Sequence, residues 1–163
     1  MTPRFLALAV STAIVAADQL TKWWVVSTRP YPDAGLELIP GVLYIRYVKN
    51  PGSAFGLFPG AGSFIALGAI AAAVIILLVV HQLEKRLEAV AMGLVLGGAL
   101  GNLLDRLFRG PGLLDGRVVD FVDFEYFPAF NVADSAITVG ACLAILAAFV
   151  LTRRAKGDAD FSR

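Results

Sequence analysis

The sequence predicts a membrane protein of the all-α class with a small β element: four transmembrane helices plus a small extracytoplasmic β-sheet on the membrane surface, in a single polytopic domain over residues 1–163. Three observations carry this. The chain is 58% hydrophobic and 17% charged with a mean hydropathy of +0.73, whereas soluble domains average about 25% charged residues. Four apolar stretches are long enough to cross the bilayer, which takes roughly 20 helical residues. Two of the connections hold runs dense in β-branched and aromatic side chains, the mark of strands. A net charge of +1 without a basic stripe sets nucleic-acid binding aside.

The first span covers about residues 5–26. Arg4, an apolar run and Val15-Ala16-Ala17 have the layout of a cleavable leader with a small-residue site. The apolar run continues past that site, and Asp18 and Lys22 follow four apart with the acid first, the better order for a helical ion pair. The segment is therefore read as a retained helix, with Trp23 and Trp24 as interfacial anchors. Asp18 and Lys22 are read as structural polar residues tying helix one to its neighbours; a direct part in chemistry is the other reading.

The loop over about 27–60 contains a predicted strand, Val42 to Lys49, closed by the turn Asn50-Pro51-Gly52. Residues 53–60 return towards the membrane with aromatic side chains outward. Only a tight charged turn, His81 to Arg86, separates the second span (about 61–81) from the third (about 87–107), so both long loops share the side opposite the termini. Arg4, Lys85, Arg86, Arg153, Arg154, Lys156 and Arg163 lie on the side of the termini, against Arg29, Arg46, Lys49, Arg106, Arg109 and Arg117 on the other. The Arg153-Arg154-Ala-Lys156 run after the last span decides for cytoplasmic termini.

Helix three carries Ala89, Gly93, Gly97 and Gly101 at four-residue spacing, a stripe that lets another helix approach closely. It ends in Asn102, Asp105 and Arg106, which read as a polar pocket, Arg106 being an interface anchor in the bland alternative. The loop over about 108–131 holds a second extended run, Arg117 to Phe127, and the last span covers about 132–151 before a tail over 152–163. The single cysteine, Cys142, permits no intrachain disulfide and is expected to be a packed small side chain.

Asp120 and Asp134 are the most informative residues. Carboxylates beside hydrocarbon are costly and need a reason. A pair sharing one proton supplies a general base and a general acid, the minimum apparatus for splitting a peptide bond with water. Other chemistries lack parts: the sole histidine, His81, falls in the cytoplasmic turn, so neither a His-Glu-x-x-His zinc site nor a base for Ser53 or Ser135 can be assembled. A Ser-Lys pair would need Lys22, which already has Asp18. No metal site and no cofactor are expected.

At these residues the chain resembles the lipoprotein signal peptidase family, signal peptidase II. The resemblance rests on Asp18-Gln-Leu-Thr-Lys22, Asn50-Pro-Gly-Ser-Ala-Phe55, Gly101-Asn-Leu-Leu-Asp-Arg106, Val118-Val-Asp-Phe121 and Phe127-Pro-Ala-Phe-Asn-Val-Ala-Asp-Ser135, in family order over nearly the whole chain. It implies an aspartic endopeptidase of the bacterial cytoplasmic (inner) membrane, monomeric and without metal or cofactor. Such an enzyme cleaves prolipoproteins before a diacylglyceryl-modified cysteine whose acyl chains lie in membrane lipid. It further implies Asp120 and Asp134 as the dyad, with Asn50, Gly52, Asn102, Asp105, Arg106 and Asn131 lining or ordering the site.

Two departures stand out. The stretch from Leu107 to Val118 is longer than the family's usual connection, and the compact acidic stretch from Phe121 to Phe127 makes Asp123 and Glu125 rival carboxylates. Asp120 is preferred because it alone matches the family block. Asp134, close to the N-terminus of helix four, is the partner expected to ionise more readily, leaving the shared proton on Asp120. The alternatives are a small proton- or ion-coupled transporter using Asp18, Lys22, Asp105, Arg106 and Asp134 as a relay, and an assembly factor docking through its sheet. Against the first, no internal repeat is evident and the carboxylates gather at one membrane face; the second leaves the paired acids unexplained.

Overall fold

The computed structural model describes residues 1–29, 35–52 and 62–161, with side chains to residue 149. Its elements in chain order are α1 (Pro3–Thr28), β1 (Leu36–Ile39), β2 (Leu43–Asn50), α2 (Gly62–Val79), α3 (Arg86–Phe108), β3 (Val118–Phe124), β4 (Phe127–Phe130) and α4 (Val132–Phe161). All four helices are long and apolar enough to cross a membrane. A short 3₁₀ turn, Val80–Gln82, prolongs α2 and holds His81. The expected aromatic return over 53–60 lies outside the described residues.

Helix α3 is the centre of the bundle. Half of its span is buried, against 22% of each of the others, and α1, α2 and α4 all pack on it. Glycine makes this possible. A Cβ on Gly93 would sit 2.5 Å from the Ala7 carbonyl oxygen, and one on Gly97 2.7 Å from Ile14 Cβ, so the stripe is the face on which α1 lies. Turned away from that stripe, Gly98 admits the Ala133 backbone of α4. Outward faces carry exposed Phe64, Leu78, Ile145 and Phe149, as lipid-facing helices do. Cys142 is exposed on α4, contrary to the packed position expected, because Gly140 takes the contact with α3. Thr12, Thr21 and Thr28 return their hydroxyls to carbonyls four residues earlier, which satisfies these three donors in an apolar setting.

The four strands form one antiparallel sheet in the order β1-β2-β3-β4. Only the two inner strands were expected from the sequence; β1 and β4 are four residues each, and Pro128 is tolerated because β4 is an edge. Ile45 pairs with Val122 but Val48 pairs with Asp120, so Arg46 and Tyr47 together oppose Phe121 in a β-bulge. Side chains alternate along a strand, and the extra residue reverses the parity of everything after it. Leu43 and Ile45 before the bulge therefore share a face with Val48 and Asn50 after it, together with Asp120. The other departure concerns the tail: α4 runs on to Phe161, ten residues past the expected end of the span near 151.

Candidate active site

Asp134 stands in the first turn of α4, and its position follows from local chemistry. Asn131 caps that helix, its Oδ1 accepting from the Asp134 amide (3.0 Å) while the Asp134 Oδ2 accepts from the Asn131 amide (3.2 Å). This reciprocal arrangement is a capping box with Asn and Asp in the two roles. A second acceptor for the helix end comes from α1, where Asp18 Oδ1 takes the Ala133 N–H at 3.0 Å.

Asp120 arrives from the sheet. Asn131 Nδ2 donates to its Oδ1 at 2.6 Å and Asn50 Nδ2 to its Oδ2 at 2.9 Å. The Asn50 amide is itself oriented, because its Oδ1 accepts from Gly52 N–H at 2.8 Å in a turn that Gly52 permits with φ 93°. Asn131 thus holds both carboxylates, one by its side-chain amide and the other by its backbone N–H. Asp120 is 1% exposed. Burial and then the negative charge of Asp134 push its carboxyl up to about 7, against the opposing pull of its two asparagine donors. A carboxyl at that value holds or yields a proton near neutrality.

Asn102 on α3 connects this pair to a buried ionic cluster. Its Nδ2 donates to Asp134 Oδ1 at 2.8 Å, and its Oδ1 accepts from Lys22 Nζ at 3.0 Å and from Asn131 Nδ2 at 3.2 Å. Lys22 also meets Asp18 and Asp105, each at 2.8 Å, with all three side chains fully buried. Asp105 is saturated from the other direction by Arg109 Nε (2.8 Å) and the Val119 N–H (3.0 Å). Such a cluster is tolerable only because each charge is paired and hydrogen-bonded.

Asp105 and Arg106 part company at the end of α3. Consecutive helical residues point about 100° apart, so Asp105 faces α1 while Arg106 turns to a cavity of about 710 Å³. Its Nη1 donates to the Asn102 carbonyl at 3.2 Å, and its buried Nε has no partner among the described residues. Asp134, Asn50 and Gly52 share this cavity's polar end; Ile65, Val139, Phe127 and Phe130 form its apolar part. Asp120, Asn102, Asp105 and Asn131 do not line it and act from behind its wall. Phe130 is braced by Phe124 in a stack and by Phe127 edge-on, at 6.2 and 6.1 Å between centroids.

The rival carboxylates are directed elsewhere. Asp123, three residues from Asp120, points to the opposite face of the sheet and pairs with Arg46, which also lies 4.4 Å over the Tyr44 ring. Glu125 sits beyond β3, lining a separate notch with Tyr126 and Val42. Among the described residues no group of three or more His, Cys, Asp and Glu side chains is arranged to hold a metal ion. Sequence reasoning missed Gln19, whose Nε2 donates to Asp18, to the Gly101 carbonyl and to Asp105. A glutamine inside an apolar helix next to Asp18 was the available signal, as the four-residue spacing to Asp105 was for Arg109.

Residues 10–150 match the family described as signal peptidase (SPase) II. The chain is 42% identical to the lipoprotein signal peptidase of Symbiobacterium thermophilum over 91% of its length and 97% of that protein's. It is 40% identical to that of Rhodococcus jostii over 88% and 72%. Two solved structures, each described as a bacterial membrane enzyme determined by the in meso method, superpose with TM-scores of 0.76 and 0.72. They share 31% and 33% identity, covering 90% and 86% of this chain and 88% and 90% of theirs.

Proposed function

The chain belongs to the signal peptidase II family and removes signal peptides from bacterial prolipoproteins as an aspartic endopeptidase, and from that premise we propose that Asp120 and Asp134 are the catalytic pair. The observation that carries the assignment is Asn131: it bonds both carboxylates at once, with Asp134 open to the cavity and Asp120 buried behind it. Asp134, which opens on the cavity at the N-terminus of α4, acts as the base and draws a proton from a water there. That water attacks the scissile carbonyl. Asp120 holds the other proton and stabilises the tetrahedral oxygen, and the proton taken by Asp134 passes to the leaving amine, breaking the C–N bond.

Arg106 turns a buried guanidinium, its Nε without a partner among the described residues, to the cavity beside Asp134, where it orients substrate carbonyls. The cavity's polar and apolar ends suit a cysteine carrying two acyl chains, with the peptide at Asn50, Gly52 and Arg106 and the diacylglyceryl group against Ile65, Val139 and membrane lipid. The enzyme is read as a monomeric single domain in the cytoplasmic (inner) membrane, both termini cytoplasmic, with the sheet and dyad at the extracytoplasmic face. The transporter alternative is not favoured, since the two carboxylates gather at one end of the helices.

The test is cleavage of a lipidated precursor by purified Asp120→Asn and Asp134→Asn enzymes. An amide keeps the shape and cannot cycle a proton, so both variants should be inactive yet folded. Near wild-type turnover in either removes that residue from the pair and returns Asp123 or Glu125 to consideration.

A further inference from the structure

We propose that Lys22 is a positioning residue for the reaction: by presenting only donors to Asn102, it fixes which end of that amide faces Asp134. The inference rests on the reading of Asp134 as a catalytic carboxylate and concerns how that carboxylate is held. An ammonium has three donors and no acceptor. Those of Lys22 go to Asp18, to Asp105 and to Asn102 Oδ1. With Oδ1 committed to Lys22, and reinforced there by Asn131 Nδ2, the Nδ2 of Asn102 is directed at Asp134 Oδ1 at 2.8 Å. A reversed amide would put oxygen against carboxylate and nitrogen against ammonium, two like-polarity contacts in a buried site. The cation thus reaches the reacting group through one amide without touching it.

This goes beyond pairing charges. Asp18 and Asp105 are sufficient to neutralise Lys22, and Asp105 has Arg109 as a second cation. The contact with Asn102 adds nothing to charge balance and everything to orientation. The groups that bear on the pair are Asp18 from α1, Asp105 and Arg106 from α3, and Asp120 from β3, so a test must remove charge evenly. The double variant Lys22→Met/Asp18→Asn does so: one charge of each sign leaves, Asp105 keeps Arg109, and Asn at position 18 retains an acceptor for the Ala133 N–H.

The experiment measures kcat and KM against pH for the wild type, the double variant and Asn102→Asp, with a lipidated precursor in mild detergent, alongside thermal midpoints. In the double variant KM should stay within about twofold while kcat falls about tenfold, the worth of one hydrogen bond to a charged group. The acid limb of the profile should move to higher pH, the direction expected when a carboxylate loses a hydrogen-bond donor. Asn102→Asp keeps an acceptor for Lys22 but turns an oxygen on Asp134, so activity should fall at least about a hundredfold with the midpoint preserved. A double-variant profile of unchanged shape overturns the proposal. So does full activity in Asn102→Asp, which decides alone if the double variant does not fold. Activity in Asp134→Asn is a different failure, since it removes the catalytic reading on which this one stands.

Discussion

Replacing Asn131 separates its two duties. Its Oδ1 caps α4 and its Nδ2 holds Asp120. Losing an asparagine cap to alanine costs about 1 kcal/mol, and losing a donor to a buried carboxyl costs about 1.5–3 kcal/mol. Asn131→Ala should therefore destabilise by about 2.5–4 kcal/mol, whereas Asn131→Ser, whose hydroxyl still caps, should lose only the second part. Chemical denaturation in mild detergent, followed by the fluorescence of the only two tryptophans, Trp23 and Trp24, measures the difference. The serine variant has a second readout. The Asn131 amide lowers the Asp120 pKa from where burial alone would set it, so its removal should carry the alkaline limb of the pH–rate profile to higher pH. Equal stability of the serine and alanine variants would refute the capping role, and an alkaline limb that stays in place would refute the hold on Asp120.

The wild-type profile itself should be a bell whose alkaline limb falls near pH 7, where Asp120 loses the proton the reaction needs; a rate still rising at pH 9 contradicts that assignment. Arg106→Lys should lose on the order of a hundredfold in turnover without becoming inactive, because a lysine cannot reproduce the planar fork. Full activity there would make Arg106 an interface anchor after all. Gly98→Val should destabilise by at least about 1–3 kcal/mol, since its Cβ would stand 2.4 Å from the Ala133 carbonyl oxygen. Gly68→Ala, with open space around it, is the control and should leave stability unchanged or slightly raised.

The four helices and the two inner strands were legible because each announces itself locally, the helices by apolar length and the strands by composition. Asp120 and Asp134 were legible because acids flanked by hydrocarbon demand an explanation. What stayed hidden depends on residues distant in the chain. Nothing in Phe127-Pro-Ala-Phe marks a strand until β3 lies beside it, and Asn102 became a bridge only through partners 80 and 32 residues away. Asp105 and Arg106 are adjacent in sequence, yet one serves the buried ionic cluster and the other the cavity, a division that only the assembled helices reveal. The capping box was written in Asn131-Val-Ala-Asp134 all along, but the sequence shows only that such a box can form. That one of its members also opens on the cavity is a property of the assembled bundle.

The bulge at Arg46 and Tyr47 gives β2 something like a reading frame. Asn50 faces Asp120 because the bulge absorbs the extra residue and the ladder resumes in phase at Val48. Exchange of the two side chains leaves that phase intact. Loss of one of the two residues leaves it intact as well, since a regular ladder keeps Ile45 on Val122 and Val48 on Asp120 with Asn50 on the same face. Flattening the strand with both residues kept is what inverts it, turning Asn50 away from the acid and Lys49 towards it. The local shape of the strand is therefore the constrained quantity and the identity of the two residues the freer one, the reverse of what holds at Asp120 itself.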